Sequence, residues 1–78
     1  MIQEEIISYL QIAHQLWLDG TLDIREVSMY LDEIDHDISI IDPKTKSIKF
    51  IFKDNWYPTL ILINQKGKVT VSTDFSDL

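Results

Sequence analysis

Seventy-eight residues, 45% hydrophobic and 26% charged, with a net charge of −6 at pH 7, suffice for one modest core and not for two, so residues 1–78 read as a single domain. This balance excludes a disordered chain, and the lack of cysteine excludes a disulfide framework or thiolate metal centre and fits a cytoplasmic, reducing compartment. No run approaches the roughly 20 apolar residues that cross a bilayer, and residues 1–20 lack the basic start of a signal peptide, so no membrane partner is expected.

The first predicted element is a helix over residues 3–18. Ile6, Leu10, Ala13 and Trp17 form its central stripe, with Ile2, Tyr9 and Leu16 on one flank and Ile7 and Leu18 on the other. This apolar arc is wider than a small sheet needs, so either a second helix or a second subunit must cover its flank. His14 falls inside the arc, where a buried histidine bonded to a backbone group is the expectation. Ile12, and Met29 further on, are apolar residues on otherwise polar faces; with the wide arc they favour self-association as a symmetric homodimer.

The segment LWLDGTLDIREV, residues 16–27, follows. Asp19, Gly20, Thr21, Asp23 and Glu26 resemble the second half of an EF-hand or dockerin-type calcium loop, over about eight residues. The resemblance stops there, because Gln15 and Trp17 occupy positions that require small oxygen ligands. Helix punctuation accounts for the same residues: Gly20 closes the first helix, Asp23 caps a second, Glu26 completes a capping box, and Leu22 with Val27 forms a hydrophobic staple. No metal and no cofactor is therefore expected.

A second helix is predicted over residues 24–36, with Ile24, Val27, Tyr30, Leu31 and Ile34 inward and Arg25, Met29, Asp32, Glu33 and His36 outward. Its end, LDEIDHD, is unusual, since Asp32, Glu33, Asp35 and Asp37 gather where the helix dipole disfavours negative charge. The lysines of the following hairpin could neutralise them; alternatively they form an acidic patch for a basic partner surface. Asp32 and His36 also stand four apart on the predicted helix, a two-ligand arrangement too sparse for a metal site.

Beyond residue 37 the period changes to two. ISIID, SIKFIFK, TLILIN and KVTVST read as strands, the first pair turning at 42–45 and the last at 64–67, where Gly67 is suited to positive φ. The fold class that follows is α+β: two N-terminal helices packed on one face of a three- to four-stranded antiparallel meander. In SIKFIFK, Ile48, Phe50 and Phe52 share one face while Lys49, Ile51 and Lys53 share the other. Trp56 and Tyr57, in the KDNWYPT stretch read as a loop, are candidate apolar anchors for a partner, and Tyr57–Pro58 could be cis.

Charge is divided along the chain. Residues 1–37 carry nine acids against Arg25, net −8, whereas residues 38–78 carry four acids against six lysines, net +2, which together give −6. Phosphate-binding loops, nucleophile motifs and metal-ligand clusters are all missing, so catalysis is not expected. The functional expectation is a small non-enzymatic module that binds a partner protein through Asp32, Glu33, Asp35 and Asp37 with Trp56 and Tyr57, as an adaptor or inhibitor. The alternatives are a nucleic-acid-associated regulator using the lysine-bearing sheet face, which the net charge opposes, and a metal-binding domain at the degenerate calcium-like loop.

Overall fold

The computed structural model describes residues 3–54 and 57–73, with only the backbone described at Asp54 and Tyr57. Two helices, α1 (Gln3–Leu18) and α2 (Ile24–Asp32), precede four strands, β1 (Ile38–Asp42), β2 (Ser47–Asp54), β3 (Tyr57–Ile63) and β4 (Val69–Ser72). The strands form an antiparallel meander in the order β1-β2-β3-β4, with both helices on one face. The chain is therefore a two-layer α+β fold.

The helical layer is set by local chemistry. After α1, Gly20 adopts φ +86°, the left-handed conformation that residues with a Cβ rarely take. Gly20 N–H then reaches the Trp17 carbonyl at 3.2 Å and Thr21 N–H the Leu16 carbonyl at 2.9 Å, the paired bonds of a Schellman closure. Asp23 caps α2: its carboxylate accepts from Glu26 N–H at 2.9 Å, and the Glu26 carboxylate accepts from Asp23 N–H at 3.2 Å. Leu22 and Val27 are both buried in the core, as the staple requires.

The sheet supplies the other half of the core. Register places Ile48 opposite Ile63, Phe50 opposite Ile61 and Phe52 opposite Thr59, and all six are buried beneath the helices. Leu10, Ala13, Val27 and Leu31 meet them from above, fully buried. The wide arc of α1 finds its second cover in α2: Tyr9 packs on Tyr30 with ring centroids 5.7 Å apart, and Leu16 joins the same core. The flank that seemed to need either a helix or a subunit is thus closed within the chain.

Three expectations are corrected. Ile24, read as inward-facing, is 42% exposed, because it opens the first turn of α2 beside the cap and clear of the buried Val27 and Leu31. α2 stops at Asp32 rather than at residue 36. Glu33 and Ile34 make only the tighter bonds, to the Tyr30 and Leu31 carbonyls at 3.3 and 3.2 Å, and Asp37 N–H already bonds Ile51 at 2.9 Å. A helix running to 36 would leave the chain no residues in which to reverse into β1. Tyr57 is not a loop residue; it opens β3, paired with Asp54.

Candidate functional site

The punctuation residues have local employment. The Asp19 carboxylate accepts from the Thr21 N–H at 3.0 Å and from the Thr21 hydroxyl at 2.6 Å. These two bonds, the hydroxyl's being the larger effect, hold its carboxyl below the ordinary 3.8. With Asp23 and Glu26 joined in the capping box, the calcium-like loop is built as a turn between helices. Among the described residues no group of three or more histidine or acidic side chains is placed to hold a metal ion.

The two histidines bind the layers together. His14 is buried, with Nε2 2.7 Å from the Lys46 carbonyl; a carbonyl can only accept, so Nε2 carries the proton. The His14 ring stands edge-on to Trp17, and the Lys46 ammonium lies 5.9 Å from the Trp17 ring centroid. This double hold secures Lys46, which has φ +50° in the β1–β2 turn. His36, placed by sequence on the outward face of α2, instead lies beyond the helix and turns inward. Its ring stacks on Phe50 at 4.6 Å, Nδ1 donates to the Ile34 carbonyl at 2.6 Å, and Nε2 meets the Ser39 hydroxyl at 3.1 Å. The i,i+4 pairing of Asp32 with His36 is therefore not formed on one helix.

That inward turn of His36 leaves the acids outward. Asp32, Glu33, Asp35 and Asp37 are all exposed, along the end of α2 and its connection to β1. Among the described residues none of the four carboxylates has a hydrogen bond or an ion pair, so the hairpin lysines do not neutralise them by contact. Glu33 stands close enough to Tyr9 to matter: burial first, and then the Glu33 charge and Tyr30, raise the Tyr9 hydroxyl above its ordinary 10.0.

The acidic connection leads directly into β1, and β1 is an edge strand. Its residues alternate: Ser39 and Ile41 are half-buried on the helix side, while Ile38 and Ile40 point away from the helices and are 51% and 52% exposed. Inward from this edge the outer sheet face pairs Ile38 with half-buried Ile51 and Ile51 with buried Leu60, and Ile40 with exposed Lys49 and Lys49 with half-buried Leu62. A shallow pocket of about 300 Å³ lies there, lined by Ile40, Asp42, Lys49 and Leu62 among others. Lys49 and Lys53 do share this face, as the alternation predicts, but Phe50 and Phe52 are buried on the other side. The described residues of the lysine face therefore offer aliphatic side chains rather than aromatic platforms for stacking bases.

The sequence reading missed this combination of free strand edge and exposed isoleucines. The alternation in ISIID carried half of the signal; the strand order shows that, among the described residues, β1 has a neighbour on one side alone. Trp56 and the Tyr57 side chain, the proposed aromatic anchors, lie outside the described residues, and no cis peptide bond occurs among the described ones. No described helix is long and apolar enough to cross a membrane. Compared with known proteins, the chain matches no family model, no characterised protein and no solved structure.

Proposed function

We propose that this chain is a non-enzymatic protein-interaction module, an adaptor or inhibitor, whose docking element is the acidic connection together with edge strand β1. One observation carries the reading: among the described residues, a strand edge without a neighbour bears two half-exposed isoleucines and is approached through a run of carboxylates without cations. Proteins ordinarily blunt such an edge with lysine, proline or a covering loop, because its free N–H and C=O groups template another strand. Here lysines sit on β2, while β1 itself carries isoleucine, serine and one aspartate. The partner that fits is an extended segment with apolar residues at alternate positions and a cation in it or just beyond its end: its backbone adds a strand, its apolar side chains meet Ile38 and Ile40, and its cation lies towards Asp35 and Asp37. Long-range attraction by Asp32 and Glu33 would speed the encounter and make it sensitive to salt.

The test is a titration of the isotopically labelled chain with a short peptide of alternating isoleucine and lysine, followed by amide NMR. Shifts concentrated in residues 35–42, weakened by salt and lost in Ile40→Lys, are expected. Shifts centred on Lys49 and Lys53, or none at all, would remove the proposal.

A further inference from the structure

We infer that the segment recognised by β1 is the β1 of a second copy, so that two chains pair edge to edge in an antiparallel, two-fold dimer with one continuous eight-stranded sheet. The inference rests on the edge-docking reading above and names its partner. An antiparallel pairing brings the start of one strand to the end of the other, and β1 is polarised in that sense: Asp35 and Asp37 precede it, whereas Lys44 and Lys46 follow its last residue, Asp42, and outnumber it. The acidic approach of one copy therefore meets the lysine-bearing turn of the other, and the same patch serves on both sides of the axis.

The register is fixed by the side chains. Opposed residues in an antiparallel pair must share a face, so a residue of β1 lies on the two-fold axis. With Ser39 on the axis, Ile38 pairs with Ile40 of the other copy, twice, on the outer face. Each strand begins at Ile38, so the acidic residues before it lie beyond the paired segment, towards the turn of the other copy that carries Lys44. With Ile40 on the axis, Ile38 would instead oppose a carboxylate; with Ile38 there, Ile40 would lie beyond the end of the other strand. With Ile41 on the axis, Ile40 would oppose Asp42. Only the Ser39 axis matches both isoleucines with isoleucines.

Five residues a side make a small contact, so the dimer forms reversibly and with concentration rather than as a permanent unit. The opposite edge of the sheet, β4, is shorter, a four-residue strand of alternating valine and hydroxyl residues that exposes one large apolar side chain, Val71, against the two isoleucines of β1.

Sedimentation velocity of the full chain between about 10 μM and about 1 mM, the range in which a contact of this size associates, measures the reaction. Mass rising towards two chains is expected, with Ile40→Lys shifting the midpoint at least about tenfold upward and leaving the melting temperature unchanged because Ile40 is exposed. The chain has no cysteine, so Ser39→Cys introduces a single thiol on the axis, within disulfide reach of its own copy. Mild oxidation traps that variant as a dimer, while a control thiol at the exposed Gln11 stays monomeric. A mass that never rises, or a dimer broken by Ile12→Lys or Met29→Lys and indifferent to Ile40→Lys, overturns the inference. A monomer that still binds the alternating peptide through residues 35–42 overturns self-pairing and leaves the edge reading standing. A monomer that binds nothing there removes both.

Discussion

Both helices run into acidic residues at their C-terminal ends, where the helix dipole makes negative charge unfavourable, and the two ends handle it in opposite ways. After α1, Asp19 turns its carboxylate onto Thr21, and Gly20 takes the left-handed conformation that satisfies the last carbonyls. After α2 there is neither glycine nor a hydroxyl partner, and Asp32, Glu33, Asp35 and Asp37 face solvent without a hydrogen bond or ion pair among the described residues. The first end is accounted for by what it does for the fold. The second is unfavourable for the helix and has no local partner to offset it, and the docking proposal is built on that contrast.

The comparison breaks most readily at His36, the residue that holds the α2 exit closed on the inside while its acids point out. Truncation to alanine removes the bonds to Ile34 and Ser39 and the ring contact with Phe50. His36→Ala should cost about 2 kcal/mol, a fall in melting temperature of roughly 8–16 °C for a chain of this size. Ser39→Ala, which removes one of those contacts, should cost well under half as much. If both variants melt with the parent, the exit is not clamped, and the acidic connection has no fixed geometry to present.

His36 also marks where the sequence stopped being informative. The bounds of α1, the capping box, the glycine at the first turn and the buried, backbone-bonded His14 were all legible, because each is decided within a few residues by periodicity or by a short-range hydrogen bond. The end of α2 was not. Ile34 continues the helical period and is buried, as the pattern requires, yet it is buried from a turn rather than from a helix. Periodicity reports which side of a residue faces the core and cannot distinguish those two routes. The inward stacking of His36 on Phe50, fourteen positions on, and the edge status of β1 depend on strand order, which no local pattern encodes.

A smaller effect of the opposite sign tests the α2 end directly. Asp32→Asn with Glu33→Gln removes two charges from the unfavourable end of the dipole. Stability should rise by about 0.3 kcal/mol per charge at low salt, together a gain in melting temperature of roughly 2–5 °C that fades as salt is added. The same double variant should move the Tyr9 titration down towards 10.0 without reaching it, since burial, the larger cause, remains. Loss of stability instead would mean that these carboxylates are engaged within the fold, and the contrast between the two helix ends would collapse.

The smallest effect sharpens the α1 end, and its sign can be worked out. The two bonds from Thr21 favour the ionised form of Asp19, so its carboxyl titrates below 3.8 in the folded chain and near that value when unfolded. A group depressed on folding contributes stability that is present above its unfolded value and is lost as pH falls through its lower, folded value. Asp19→Asn keeps an oxygen that can accept from Thr21 and removes the charge, which separates this contribution from the turn itself. Because the charge also opposes the α1 dipole, the absolute difference between the two proteins is less telling than its slope with pH. Denaturant titrations at steps from neutral pH down through the acid range should show the parent losing ground to the variant only below 3.8, and by a small amount, since the carboxylate is exposed and screened by solvent. A difference that is flat across that window, or that grows as acid is added, would show that Thr21 does not hold the Asp19 charge, and that α1 closes through Gly20 alone.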